Sequence, residues 1–141
     1  MDACTGAHKI GRAHCTSISR RLYNFTATMS QDPSIDPAYA WELKEQCPQG
    51  SNDPTLVVPM NPSSPHLLDN GYYKDILANR GLFLSDQALS TDDATLAQVV
   101  LHANMGIAWN VRFAQAMVKM GQIGVLTREE GEIRLNCRRP N

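Results

Sequence analysis

Residues 6–15 read Gly6-Ala7-His8-Lys9-Ile10-Gly11-Arg12-Ala13-His14-Cys15, and the rest of the chain is best read outward from them. The stretch holds a histidine between small residues, which let a flat group approach the backbone closely. A carboxylate on one ring nitrogen makes histidine a stronger metal ligand through the other. One candidate for that carboxylate lies far downstream, in Leu84-Ser85-Asp86-Gln87. The spacing alone does not join Asp86 to His8. A lone histidine on an apolar helix is more often a hydrogen-bonded core residue than a ligand, and both readings stay open at this point.

A chain of 141 residues is enough for one domain with a real core, or for half of a two-lobed protein. Thirteen basic and 14 acidic residues leave a net charge of -1, so there is no electrostatic case for nucleic acid or an anionic membrane. Arg20-Arg21 and Arg138-Arg139 are expected to be solvated. No apolar run approaches the roughly 20 residues that span a bilayer. Met1-Asp2-Ala3-Cys4 has neither the basic start nor the apolar segment of a secretory signal. Cysteines at 4, 15, 47 and 137 form no Cys-x-x-Cys pair, which argues against structural zinc. They allow three complete pairings, and buried reduced thiols are the alternative. Asn24-Phe25-Thr26 is a glycosylation sequon and points to an oxidising, secretory compartment.

Helical patterning dominates, and the expected architecture is mainly α. Residues 3–13 are small and apolar enough for a buried helix carrying His8. Asp36-Pro37 predicts an N-cap and a proline at the first helical position, opening a helix to about Gln46 that Cys47-Pro48 ends. From Pro48 to Pro65 the chain reads as a long irregular loop, with Leu56-Val57-Val58 wrapped over a core. Asp69 predicts a cap for a helix through Tyr72, Tyr73, Ile76 and Leu77, closed by Gly81. Ser85 or Asp86 starts a short turn. Thr91, with Asp92 and Asp93 in the first turn, opens a helix through Leu96, Val99, Val100 and Ala103. Ile107, Val111, Ala114, Met117 and Val118 repeat at helical spacing before Gly121. The tail from Gly124 reads as irregular, with at most a short hairpin around Gly131. Trp41, Trp109, Met105, Met117 and Met120 are expected in the core.

Several blocks in order carry a family resemblance. They are Gly-Ala-His-x-Ile-Gly-Arg-x-His-Cys, Arg21-Leu22-Tyr23-Asn24-Phe25, Asp32-Pro33-x-Ile35-Asp36-Pro37 and Leu68-Asp69-Asn70-x-Tyr72-Tyr73. Asn79-Arg80-Gly81-Leu82, Ser85-Asp86-Gln87, Met117-Val118-Lys119-Met120-Gly121 and Gly131-Glu132-Ile133-Arg134-x-Asn136-Cys137-Arg138 follow. Over residues 1–141 the chain resembles the C-terminal, proximal half of secreted plant haem peroxidases of class III. The resemblance implies a haem b cofactor with His8 as the axial iron ligand. Asp86 would accept the other ring N–H and lower the iron potential. It implies a Cys15–Cys47 disulfide, a partner for Cys137 upstream of this chain, and a small buried role for Cys4. His14 lies near a haem-edge position of the family, with a surface or cap role as the alternative; His66 and His102 are read as structural or exposed. In a complete member the reaction would be oxidation of phenolic donors by hydrogen peroxide, in a secreted, extracellular or vacuolar setting.

Two departures from the family pattern stand out. Calcium is the second metal the resemblance implies, and Asn61, Ser64, the Leu67 carbonyl and Asp69 fall on its ligand positions. However, Lys9 replaces a threonine ligand and Asn61 replaces an aspartate. An ammonium has no lone pair to offer a hard cation. The expectation is therefore that Lys9 supplies the positive charge itself and pairs with Asp69; the alternative is a solvent-facing Lys9 whose carbonyl still binds an ion. The second departure is the distal lobe, expected to be absent, because the only His-Cys, His14-Cys15, has no Asp after it. Distal histidine and arginine move the peroxide proton and stabilise developing charge. The isolated chain is expected to be an impaired peroxidase, or a truncated domain that binds haem without catalysis or lacks haem.

Overall fold

In the computed structural model, which describes residues 5–141, Gly11 adopts φ +111° and breaks the helix expected over residues 3–13. L side chains rarely adopt that backbone, so glycine is needed at this corner. The part of that expectation on residues 3 and 4, with the buried role given to Cys4, lies outside the described residues. What forms is a 3-10 turn, Gly6–Lys9, followed by strand β1, Arg12–His14. β1 pairs antiparallel with β2, Val57–Pro59, and buried Ala13 faces buried Val58. The loop from Pro48 to Pro65 is thus pinned at its centre by a short ribbon, and its Val58 does enter the core.

Six α-helices supply most of the regular secondary structure among the described residues. Helix α1, Cys15–Tyr23, was not among the sequence expectations; it buries Cys15, Ile18 and Leu22 on one face. Arg21, expected in solvent, lies on the same buried side and is only 5% exposed. Its Nε donates to Asp32 at 2.7 Å, and one terminal nitrogen donates to the carbonyls of Gly81 and Leu82 at 2.6 and 2.9 Å. Helix α2, Pro37–Gln46, starts as predicted, with the Asp36 carboxylate accepting the Tyr39 N–H at 2.8 Å. A Cys15–Cys47 disulfide, with Cα atoms 5.3 Å apart, joins the start of α1 to the end of α2. Cys137 is exposed and has no disulfide partner among the described residues.

Helix α3, Gly71–Leu77, has Asn70 at its N-cap position, while Asp69 accepts the Gly71 N–H at 2.7 Å. Its C-cap is Ala78, and the residue that turns left-handed is Asn79 (φ 57°), not Gly81. Asparagine tolerates that region because its side chain bonds locally. Helix α4, Leu84–Gln87, runs into a 3-10 turn at Ala88–Ser90. Helix α5, Asp93–Asn104, is capped by Asp92, one residue later than expected. Helix α6, Gly106–Met120, follows, and the tail holds a 3-10 turn, Arg128–Glu130, with no strand pairing around Gly131.

Two clusters form the core. Ala13, Ile18, Leu22, Tyr39, Leu43 and Val58 belong to the first, and Tyr72, Tyr73, Ile76, Val99, Ala103 and Trp109 to the second. Trp109 donates to the Tyr73 hydroxyl at 3.0 Å and stacks on Phe113. A Cβ on Gly6 would stand 2.7 Å from the Trp109 ring, so the turn bearing His8 can rest on this cluster only through a glycine. Other core expectations fail: Trp41 is 63% exposed, and Met105, Met117 and Met120 are also exposed. The α6 repeat of Ile107, Val111, Ala114 and Val118 faces outward, while Trp109 and Phe113 make the inward contacts.

Candidate functional site

His8 sits on the 3-10 turn with its ring about half exposed (46%), whereas Asp86 on α4 is 3% exposed. His8 Nδ1 lies 2.7 Å from Asp86 Oδ1 across 78 residues of sequence. Asp86 is itself held: Oδ1 accepts the Tyr72 hydroxyl at 3.0 Å, and Oδ2 accepts the Phe83 N–H at 2.9 Å, at the start of its own helix. A carboxylate surrounded by donors makes Nδ1 the protonated nitrogen, leaving the lone pair on Nε2. Nε2 has no hydrogen-bond partner among the described residues. The ring is fixed edge-on by Phe83, with centroids 5.5 Å apart, and by Tyr72 at 6.3 Å. Burial, reinforced by the Asp86 charge, pushes the Tyr72 hydroxyl far above its ordinary pKa, so it acts as a donor to Asp86. One ring nitrogen held and the other open is the arrangement of a metal-binding histidine.

The neighbouring side chain turns the other way. Lys9 is fully buried, and its Nζ donates to Asn61 Oδ1 at 3.1 Å and to the Ser64 carbonyl at 2.5 Å, with Asp69 Oδ1 at 3.5 Å. Asn61 also accepts the Ser64 N–H at 2.9 Å and donates to Asp75, while the Ser64 hydroxyl donates to Asp69 at 2.9 Å. Leu67 only gives its N–H to the Ser64 carbonyl, and among the described residues no hydrogen bond joins it to Lys9. Burial alone would raise Asp69, but the Gly71 N–H, the Ser64 hydroxyl and the Lys9 charge outweigh it and hold the carboxyl below its usual range. Asp75 is raised, chiefly by burial, against the pull of Arg80 and Lys9. A Cβ on Gly71 would lie 2.8 Å from Asp69 Oδ1 and 3.0 Å from Lys9 Cε, so the cage closes only around glycine.

The remaining candidates are dispersed. His14 is exposed at the N-cap of α1 with no capping bond, His66 is exposed, and His102 is buried against Tyr73. Asn24 is exposed just after α1. Among the described residues no group of three or more His, Cys, Asp and Glu is arranged to hold a metal. Sequence reasoning missed the supporting roles of Phe83, Tyr72 and Asp75. Tyr72 lies inside a quoted block, but only the folded chain shows its hydroxyl on Asp86.

Comparison with known proteins accords with this geometry. A family model described as Peroxidase matches residues 1–105. Peroxidase 5 of Vitis vinifera is 60% identical over 138 residues, covering 98% of this chain and 42% of that relative. Peroxidase 51 and Peroxidase 45 of Arabidopsis thaliana are each 45% identical, covering 97% and 100% of this chain and 41% and 43% of their own lengths. The chain thus spans about two fifths of the length of these curated relatives. With the family model covering residues 1–105 and identity to plant relatives reaching 60%, this chain belongs to the plant peroxidase family.

Proposed function

We propose that this chain holds haem b through His8 and serves a peroxidase that oxidises phenolic donors with hydrogen peroxide, removing peroxide under oxidative stress. The observation that carries this reading is the His8 Nδ1–Asp86 contact of 2.7 Å, with Nε2 left open on a half-exposed ring. Haem, when bound, supplies the redox-active iron at which peroxide is reduced. Asp86 keeps the Nδ1 proton in place, fixes the ring orientation and makes Nε2 the more basic donor. Phe83 and Tyr72 stop the ring from rotating off that bond, so Nε2 is positioned in advance.

The groups that shuttle the peroxide proton and stabilise its developing charge are assigned by this reading to a distal lobe outside these 141 residues. The outward apolar stripe of Ile107, Val111, Ala114 and Val118 supports a further packing partner. Each absent group is worth about 10²- to 10³-fold in rate, so these residues alone turn over slowly. A secreted or vacuolar location is supported by the Cys15–Cys47 disulfide and the exposed Asn24 sequon. Among the described residues, no helix is long and apolar enough to cross a membrane.

Haem titration tests the reading. The wild-type chain is expected to show a Soret shift that vanishes in His8→Ala. Identical spectra for the two proteins would leave a haem-free or non-specific domain as the correct reading. Peroxide turnover by the loaded chain at the rate of a complete peroxidase would refute the need for a distal lobe.

A further inference from the structure

We infer that the Lys9 ammonium takes the place of calcium in this chain, so the cage beside His8 is closed by a covalently tethered cation. The family leads one to expect a hard divalent ion here, and the residues present do not fit one. Calcium requires six to eight oxygen ligands at about 2.3–2.6 Å. The oxygens offered by Asn61, Ser64 and Asp69 instead point at Lys9 Nζ, at 3.1, 2.5 and 3.5 Å. An ammonium has three donors and no acceptor; two of them go to Asn61 and the Ser64 carbonyl, and the charge faces the Asp69 carboxylate. A calcium ion in the same cage would meet a positive charge where it needs a lone pair.

Burial makes the assignment specific. A buried cation without counter-charges is strongly disfavoured, so Lys9 is stable here only because acidic groups surround it. Asp69 faces Nζ directly, and Asp75 is linked through the Asn61 amide. Asn61 is suited to this role because its carbonyl oxygen takes the ammonium while its amide donates to Asp75. An aspartate there would add a further charge that one ammonium could not balance. Ser64 completes the circuit by donating to Asp69 while its carbonyl accepts from Lys9.

The device ties the 3-10 turn Gly6–Lys9 to residues 61–71 and the start of α3. Because Lys9 directly follows His8, the turn that positions the histidine is anchored by a cation that cannot dissociate. The inference does not depend on haem, and its test uses none.

The test is calcium content and thermal unfolding of the 141-residue chain, after dialysis against millimolar calcium and then against EDTA. The expected result is no calcium retained above the buffer blank and the same Tm in both buffers. Lys9→Met keeps the stem and removes the charge, and is expected to lower Tm equally in calcium and in EDTA. One tightly held equivalent of calcium in the wild type would overturn the inference, as would a wild-type Tm that rises with calcium. So would a Lys9→Met variant as stable as the wild type.

Discussion

Replacing Asp32 by asparagine should destabilise this protein more than any exposed ion pair could. Asp32 is 1% exposed and Arg21 5% exposed, and the carboxylate accepts Arg21 Nε at 2.7 Å, the Ser34 N–H at 2.8 Å and the Ser34 hydroxyl at 2.7 Å. In Asp32→Asn the guanidinium stays buried, still bonded to the Gly81 and Leu82 carbonyls, but with no counter-charge. Breaking a buried pair from one side costs about 3–5 kcal/mol. A chain of this length unfolds with roughly 0.3 kcal/mol per kelvin of entropy at its midpoint, so Tm should fall by about 10–17 °C. The pH profile adds a second signature. Burial would raise Asp32, but the Ser34 bonds and Arg21 outweigh it and hold the folded carboxyl below its usual value. Its contribution is therefore present above the ordinary carboxyl range, near pH ~4, and is lost as pH falls through the lowered folded value. Calorimetry from pH 7 down to pH 3 should show a shallower acid decline in the variant. A Tm loss under about 3 °C, as for a solvated pair worth about 1 kcal/mol, would refute the reasoning.

Two further outcomes follow from the same geometry. Removing the Cys15–Cys47 bridge in the double serine variant, across a sequence separation of 32, should cost roughly 3–4 kcal/mol on the loop-entropy model. Chemical denaturation of oxidised wild type against the variant checks it. Gly71→Ala drives a Cβ into the Lys9–Asp69 cage and should cost about 1–3 kcal/mol. The same substitution at Gly121, where φ is -64° and a Cβ meets only ordinary contacts at 3.5 Å, controls for the loss of glycine without the clash.

The sequence was most legible where chemistry restricts the side chain. His8 with Asp86, and Lys9 with Asp69, were joined only by the family resemblance, since 78 and 60 residues of sequence separate the partners, and the structure brings each pair together. The α2 start was readable because Asp36-Pro37 combines a side-chain acceptor with a preset φ. The turn around His8 was misread because small apolar residues suit a helix, a 3-10 turn or a short strand equally, and the positive φ at Gly11 decided among them. Helix α1 did carry a signal, Cys15, Ile18 and Leu22 at helical spacing, but its intervening serines, threonine and arginines mask it. Arg21 looked solvated because its acceptors, the Gly81 and Leu82 carbonyls, lie some 60 residues away. On α6 two apolar stripes compete, and the one with Trp109 faces inward because Gly6 leaves room for the indole, a fact of tertiary packing.

The most direct measurement is the iron–imidazole stretching band in the resonance Raman spectrum of the reduced, haem-loaded chain. If His8 holds the iron and Asp86 steadies its far nitrogen, the band is present in wild type, absent in His8→Ala and moved to lower frequency in Asp86→Asn. A band that neither substitution alters would contradict the account.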